Sequence, residues 1–203
     1  MADFPLTYTN VAGASVTVTP SSVEVELNSR TVRTTSLSGR QQVRSFGTSY
    51  YVVSLNFPPL IEEDLAQVKA KLTTLRGGVG TFTIATQNFT NKKGSSTAEE
   101  ELGSSFTGAI GVTQVTTIGS NEFKPGEYFI FSNHTKAYQV ISHSGTTLTF
   151  EPPLQTAVAQ SSGHDIRSGA NFVMTCRLSD DNISYTQGAD GFSRIQFSAI
   201  EAV

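Results

Sequence analysis

Tyr50-Tyr51-Val52-Val53-Ser54-Leu55-Asn56-Phe57-Pro58-Pro59-Leu60-Ile61-Glu62-Glu63-Asp64-Leu65 contains a change of period that sets the rest of the fold. Up to Phe57 the repeat is two, with Tyr51, Val53, Leu55 and Phe57 on one face and Tyr50, Val52, Ser54 and Asn56 on the other. That is a strand. It stops at Pro58-Pro59, because proline has no N–H to donate to a ladder. Beyond the prolines, Ile61, Leu65, Val68, Leu72 and Leu75 recur at spacings of 4, 3, 4 and 3, one apolar stripe of an amphipathic helix predicted over residues 60–76. Glu62, Glu63 and Asp64 lie at its positive end and Lys69, Lys71 and Arg76 toward its negative end, with Gly77 placed to take a left-handed stop. A single amphipathic helix of this kind needs a sheet to lie against.

Outward from this junction, alternation dominates. Val16 and Val18, then Val23, Val25 and Leu27 set against Glu24 and Glu26, predict two or three short strands between Ala14 and Ser36, with turns at Pro20-Ser21-Ser22 and Asn28-Ser29-Arg30. A strand is expected over Thr81 to Thr86. A polar stretch from Asn88 to Ser105 follows, then short strands over 109–118, 128–131, 137–141 and 148–150, with turns at Lys124-Pro125-Gly126 and Ser144-Gly145. A second polar stretch runs from Gln155 to Gly169. Two closing strands are expected over 171–178 and 194–201, around a turn-rich segment.

The expected fold is mainly β: a split, β-sandwich-like domain with one amphipathic helix, formed by residues 1–87 and 166–203. A small antiparallel β-barrel, OB-like, is inserted as residues 88–165 between polar linkers. One continuous sandwich with long loops is the alternative topology.

The 203 residues carry a net charge of −3, with 37% hydrophobic and 15% charged residues. This provides no broad basic surface for nucleic acid or for anionic lipid. No apolar run is long enough for a helix to cross a bilayer, and Met1-Ala2-Asp3-Phe4-Pro5 has no secretory pattern, so a soluble protein made in the cytoplasm is expected. Asn88, Asn133 and Asn182 match the glycosylation pattern, but such matches are common in a Ser/Thr-rich chain.

A catalytic or metal centre is not expected. Gly77-Gly78-Val79-Gly80 follows the helix, whereas a phosphate cradle precedes one. His134, His143 and His164 lack metal-ligand spacing, and Cys176, the lone cysteine, sits among Phe172, Val173, Met174 and Leu178 and reads as a buried thiol. Glu62-Glu63-Asp64 reads as helix capping and Glu99-Glu100-Glu101 as a polar loop. Asp180-x-Asn182-x-Ser184 begins like a calcium loop but continues with Tyr185 and Gly191 where glycine and glutamate belong, so a tight hairpin turn is expected instead. The insert holds Phe123, Tyr128, Phe129, Phe131, Tyr138 and Phe150. Alternation makes about half of these core, and Tyr128 and Tyr138 are the candidates for stacking on a sugar ring. No cofactor is expected.

Three stretches carry a resemblance. The first is Arg44-Ser45-Phe46-Gly47-Thr48-Ser49 running into Tyr50 to Leu60. The second is Leu75-Arg76-Gly77-Gly78-Val79-Gly80-Thr81-Phe82-Thr83-Ile84. The third comprises Lys124 to Phe129, Ala137 to Val140 and Leu148 to Leu154 in the insert. In this order they resemble the distal tail protein family of long-tailed bacteriophages and related tail-like particles. The resemblance implies a non-enzymatic structural subunit of the virion, at the distal end of the tail. It would form a hexameric ring that joins the tail tube protein to the hub and to a receptor-binding protein or fibre. In that family the split domain builds the ring and the inserted barrel projects outward. The alternative is a carbohydrate-binding module that attaches the particle to its host.

Overall fold

The computed structural model describes residues 3–85, 99–104, 106–120, 122–160 and 166–203. In chain order the first strands are β1 (Leu6–Thr9), β2 (Ser15–Val18), β3 (Ser22–Thr35) and β4 (Gln41–Asn56), followed by the helix α1 (Glu62–Thr74) and β5 (Phe82–Ile84). Next come β6 (Glu99–Glu100), β7 (Thr107–Gly108), β8 (Gln114–Thr116), β9 (Tyr128–Phe131), β10 (Ala137–Ser144), β11 (Thr147–Glu151), β12 (Val158–Ala159) and β13 (Ile166–Ser168). The chain closes with β14 (Met174–Leu178), β15 (Tyr185–Gln187) and β16 (Ser193–Glu201). The architecture is mainly β with antiparallel sheets and a sandwich-like first unit.

The first sheet runs β3-β4-β16-β14-β5, so the closing strands lie between the opening ones, with Gln196 opposite Asn56 and Ile200 opposite Val52. Its inner face carries Tyr51, Val53, Leu55, Ile195, Phe197 and Ala199, packed with Leu65, Val68 and Leu72 of α1. Phe4, Phe57, Phe82 and Phe197 meet there at centroid distances of 5.6–6.0 Å. The helix spans 62–74 rather than 60–76, because its stripe is shared with the flanking residues Leu60 and Leu75, both buried outside the helical turns. The left-handed stop begins one residue earlier than expected, at Arg76 (φ 53°), and continues through Gly77 (φ 68°). Glycine suits the positive φ at Gly77, and a Cβ there would lie 2.3 Å from Asp181 Oδ1, displacing the carboxylate that accepts a hydrogen bond from Gly78 N. Leu65→Ala should destabilise the protein by about 2–5 kcal/mol, as judged by urea denaturation, since Leu65 is buried beneath the sheet.

Several local expectations are corrected. Asn28-Ser29-Arg30 is not a turn: β3 continues through it as one 14-residue strand. The turn-forming residues are absorbed in a bulge, where pairing shifts from Ser29↔Ser49 to Thr31↔Ser45 opposite Gly47, which takes φ 70°. The tight turn near the C-terminus lies at Gly188 to Gly191, where Gly188 N and Phe192 O close the β15–β16 hairpin, and not at Asp180 to Ser184. Glu63 and Asp64 do not cap α1, whose N-cap is Ile61 without a side-chain bond. They accept from Val11 N and Tyr8 Oη, tying the β1–β2 hairpin to the helix.

The second sheet runs β6-β13-β9-β10-β11-β8 around a core of Phe129, Phe131, Tyr138, Val140, Leu148 and Phe150. The expected OB-like barrel is not closed by a continuous ladder. Beside the edge strands β6 and β8, two and three residues long, the chain is joined by the Leu102↔Thr117 bridge and the bonds Gly103 N to Thr116 O and Ile118 N to Glu101 O. Strands this short cannot carry a full ladder around the turn. The boundary at 165/166 also shifts, because β13 pairs with β9 and β6 and so belongs to the second sheet, not the first. Glu99–Glu100 is a strand rather than polar loop, and Glu100 Oε1 accepts from Gly119 N at 2.7 Å. The remainder of the first polar stretch, residues 88–98 and 105 with Asn88, lies outside the described residues, as do 161–165 with His164.

Candidate functional site

Two features distinguish this chain from an ordinary two-layer β protein: a hairpin that leaves the body, and a buried ionic joint at its root. The hairpin is the distal part of β3 and β4. Every residue from 29 to 48 is exposed, including Val32, Val43 and Phe46, of which the last two are each 59% exposed. Its tip is closed by Gly39 N to Ser36 O and Ser36 N to Arg40 O. At about 3.4 Å per residue, the strands beyond the bulge reach roughly 24 Å from the body. The exposed stretch ends at Ser49, which is buried, and from Tyr51 onward alternate residues of β4 enter the core.

The ionic joint fixes this root. Alternation along β16 places Ile195, Phe197, Ala199 and then Glu201 on the inward face, so a carboxylate is carried into the core. There Glu201 is met by Lys136 from the second unit, and both side chains are fully buried. Its two oxygens accept from Lys136 Nζ, from Tyr51 N at 3.1 Å and from Ala137 N at 2.6 Å. Burial pulls the Lys136 ammonium below its ordinary pKa and the adjacent carboxylate pulls it back up. Around the joint, Tyr128 meets Tyr51 edge-on at 5.7 Å and Phe172 at 6.2 Å, Thr135 Oγ1 donates to Ala202 O, and Gln155 Nε2 donates to Ser49 O. Ile130 and Ala137 add apolar contact to the first core. The insert is therefore docked against the first sheet at the point where the hairpin leaves it.

A groove of about 390 Å³ lies on the opposite, outer face of the first sheet. Ser54, Asn56, Gln196 and Ser198 form its floor and Glu24 and Asp180 supply its carboxylates. Asp180 and Asn182 of the calcium-like segment line this groove, while Asp181 is used by the turn after α1.

The sugar-stacking candidates are placed elsewhere. Tyr138 is fully buried between Phe129, Phe131 and Phe150, and Tyr128 is half-buried against Tyr51 and Phe172, so neither presents a ring face as a platform. Phe123, Phe129, Phe131 and Phe150 are core as well. Alternation alone had left both faces open; docking of the insert covers the second one.

The remaining reactive residue types have structural roles. Cys176 is buried in β14 opposite Phe82 and Glu201, and burial pushes its thiol up to about 12, which leaves no thiolate at neutral pH. His143 Nδ1 accepts from Glu122 N and Phe123 N, so its Nε2 carries the proton and donates to Thr117 Oγ1. Asn133 Nδ2 donates to Ala157 O, which orients the amide so that Oδ1 accepts from His134 Nδ1, and Tyr138 Oη then donates to His134 Nε2.

Burial, reinforced by the Lys136 charge, holds His134 down at about 4. The unfolded chain, with an ordinary histidine near 6.5, therefore binds more protons between these values, and stability falls as pH drops from about 6.5 toward 4. Urea midpoints measured at pH 7 and pH 5 should differ more for the wild type than for His134→Gln, and equal differences would remove this contribution.

Compared with known protein families and with curated proteins, the chain shows no match in either.

Proposed function

We propose that the chain is a non-enzymatic ring subunit of a phage tail tip, hexameric in its assembled form, joining the tail tube to the hub and the receptor-binding apparatus. The observation that carries this reading is the exposed hairpin of residues 29–48. A two-stranded ribbon is marginally stable alone in water, so one projecting beyond its sheet is at home only against a partner. The joint at Glu201 holds the root of that ribbon against the insert, as a subunit with a fixed contact angle requires. Identical subunits that each extend one element to the next form heterologous contacts, which close into a ring when the rotation divides the circle. The sequence resemblance to distal tail proteins supports the tail location and the tube and hub partners. The carbohydrate-binding alternative is less favoured, since Tyr138 is fully buried and Tyr128 is half-buried against Tyr51 and Phe172.

Light scattering and negative-stain electron microscopy of the purified chain at micromolar concentration are expected to show rings. Replacing residues 30–47 by a short turn should leave a folded monomer. Wild-type protein that stays monomeric, together with failure of specific antibodies to label the distal end of tails, would refute the proposal.

A further inference from the structure

We propose that the hairpin arm of one copy docks its arginines into the groove on the outer face of the first sheet of the next copy, through the carboxylates of Glu24 and Asp180. This deepens the ring reading and rests on it. The arm carries Arg30, Arg33, Arg40 and Arg44, and no aspartate or glutamate occurs between Leu27 and Ile61. None of these arginines forms an ion pair among the described residues. The groove has the opposite character: two carboxylates, a floor of hydroxyls and amides, and no cation in its lining. Ser54 and Ser198 bond each other at 2.9 Å and Asn56 Nδ2 donates to Ser22 Oγ, and the hydroxyl and amide oxygens of the floor add acceptors beside the two carboxylates. A guanidinium, with five donors and no acceptor, is the side chain that such a lining fits. Its volume of about 390 Å³ admits long side chains rather than a strand.

The contact must be between copies. Glu24 and the arm lie on the same strand, β3, and the arm tip is roughly 40 Å further along it at about 3.4 Å per residue. A paired strand cannot fold back on itself, so no arm reaches its own groove. Donor and acceptor surfaces at different places on one subunit make a head-to-tail interface, the type that builds rings. Charge complementarity of this kind fixes partner and register, and it makes association sensitive to salt.

Charge reversal tests the pairing. Arg33→Glu with Arg44→Glu alters the arm, and Glu24→Lys with Asp180→Lys alters the groove. All four positions are surface residues, so each variant should unfold within about 2 °C of the wild type. Where wild-type protein forms rings, each variant alone should be monomeric, with assembly weakened at least tenfold. An equimolar mixture of the two, and a single chain carrying all four changes, should assemble again. Wild-type assembly should also weaken between 50 mM and 500 mM salt. If wild type forms rings and either variant does so equally well, or if mixing restores nothing, the arm does not dock in this groove, although the ring reading stands. If the wild type forms no ring at any concentration, the ring reading fails and the docking proposal fails with it.

Discussion

Glu201→Ala is expected to cost about 3–5 kcal/mol and to loosen the insert from the first sheet. The carboxylate is the acceptor for three donors, Lys136 Nζ, Tyr51 N and Ala137 N, all of them buried. Removing it leaves an ammonium in the core with no counter-charge, and that uncompensated charge is the expensive part of breaking a buried pair. The two backbone N–H groups lose their acceptor as well, at about 1–3 kcal/mol each when no water reaches them. The pair itself is not expected to be worth this amount. Lys136→Met combined with Glu201→Gln removes both charges while keeping an acceptor for one of the N–H groups, and it should be closer to wild type than Glu201→Ala is. Urea denaturation of the single and double variants measures the difference. A loss below about 1 kcal/mol for Glu201→Ala would mean that water enters the joint. Because Tyr51 lies two residues beyond the root of the arm, the same variant should also increase hydrogen exchange at Ser49 and Tyr50.

Tyr138→Ala is expected to cost a similar 3–5 kcal/mol, localised in the second unit. The ring is fully buried and lies 5.2–5.6 Å from the rings of Phe129, Phe131, His134 and Phe150. Truncation would open a cavity at the centre of that cluster. Tyr138→Phe keeps the packing and loses only the hydroxyl, which bonds His134 Nε2 at 2.9 Å and Gln155 N at 3.4 Å, so a loss of about 1 kcal/mol is expected. Thermal and urea unfolding followed by near-ultraviolet circular dichroism distinguishes the two variants. An exposed sugar platform would behave differently, since alanine at such a position leaves stability within about 0.5 kcal/mol and removes only ligand binding.

The sequence was most readable where one periodicity ran uninterrupted. The stripe from Leu65 to Leu75 was legible because a helix and a strand place side chains at different angles, and only the helical angle puts those residues on one face; Ile61, read as its first member, is instead the extended N-cap and is 50% exposed. Tyr128 to Phe131 was read with the bounds of β9 because turn residues flank a short, wholly apolar run. The arm was only partly legible. Asn28-Ser29-Arg30 has turn chemistry, and nothing local shows that a glycine 17 residues later, Gly47, sits opposite and turns it into a bulge. Period-two phase along 195–201 did place Glu201 inward, and that was the available signal for the joint. Lys136 gave none, because its burial depends on a surface contributed by residues 65 positions away.

The sequence by itself determined the class of fold and the amphipathic helix, since each follows from repeats of two or about four residues and from where proline and glycine interrupt them. Only the tertiary structure decided that the closing strands pair beside β4, that the insert is docked on the first sheet, that Tyr138 is fully buried and Tyr128 half-buried, and that residues 29–48 extend free of the body. The reason is physical: alternation states which residues share a face, but whether that face meets solvent or a second layer depends on pairings between segments far apart in the chain.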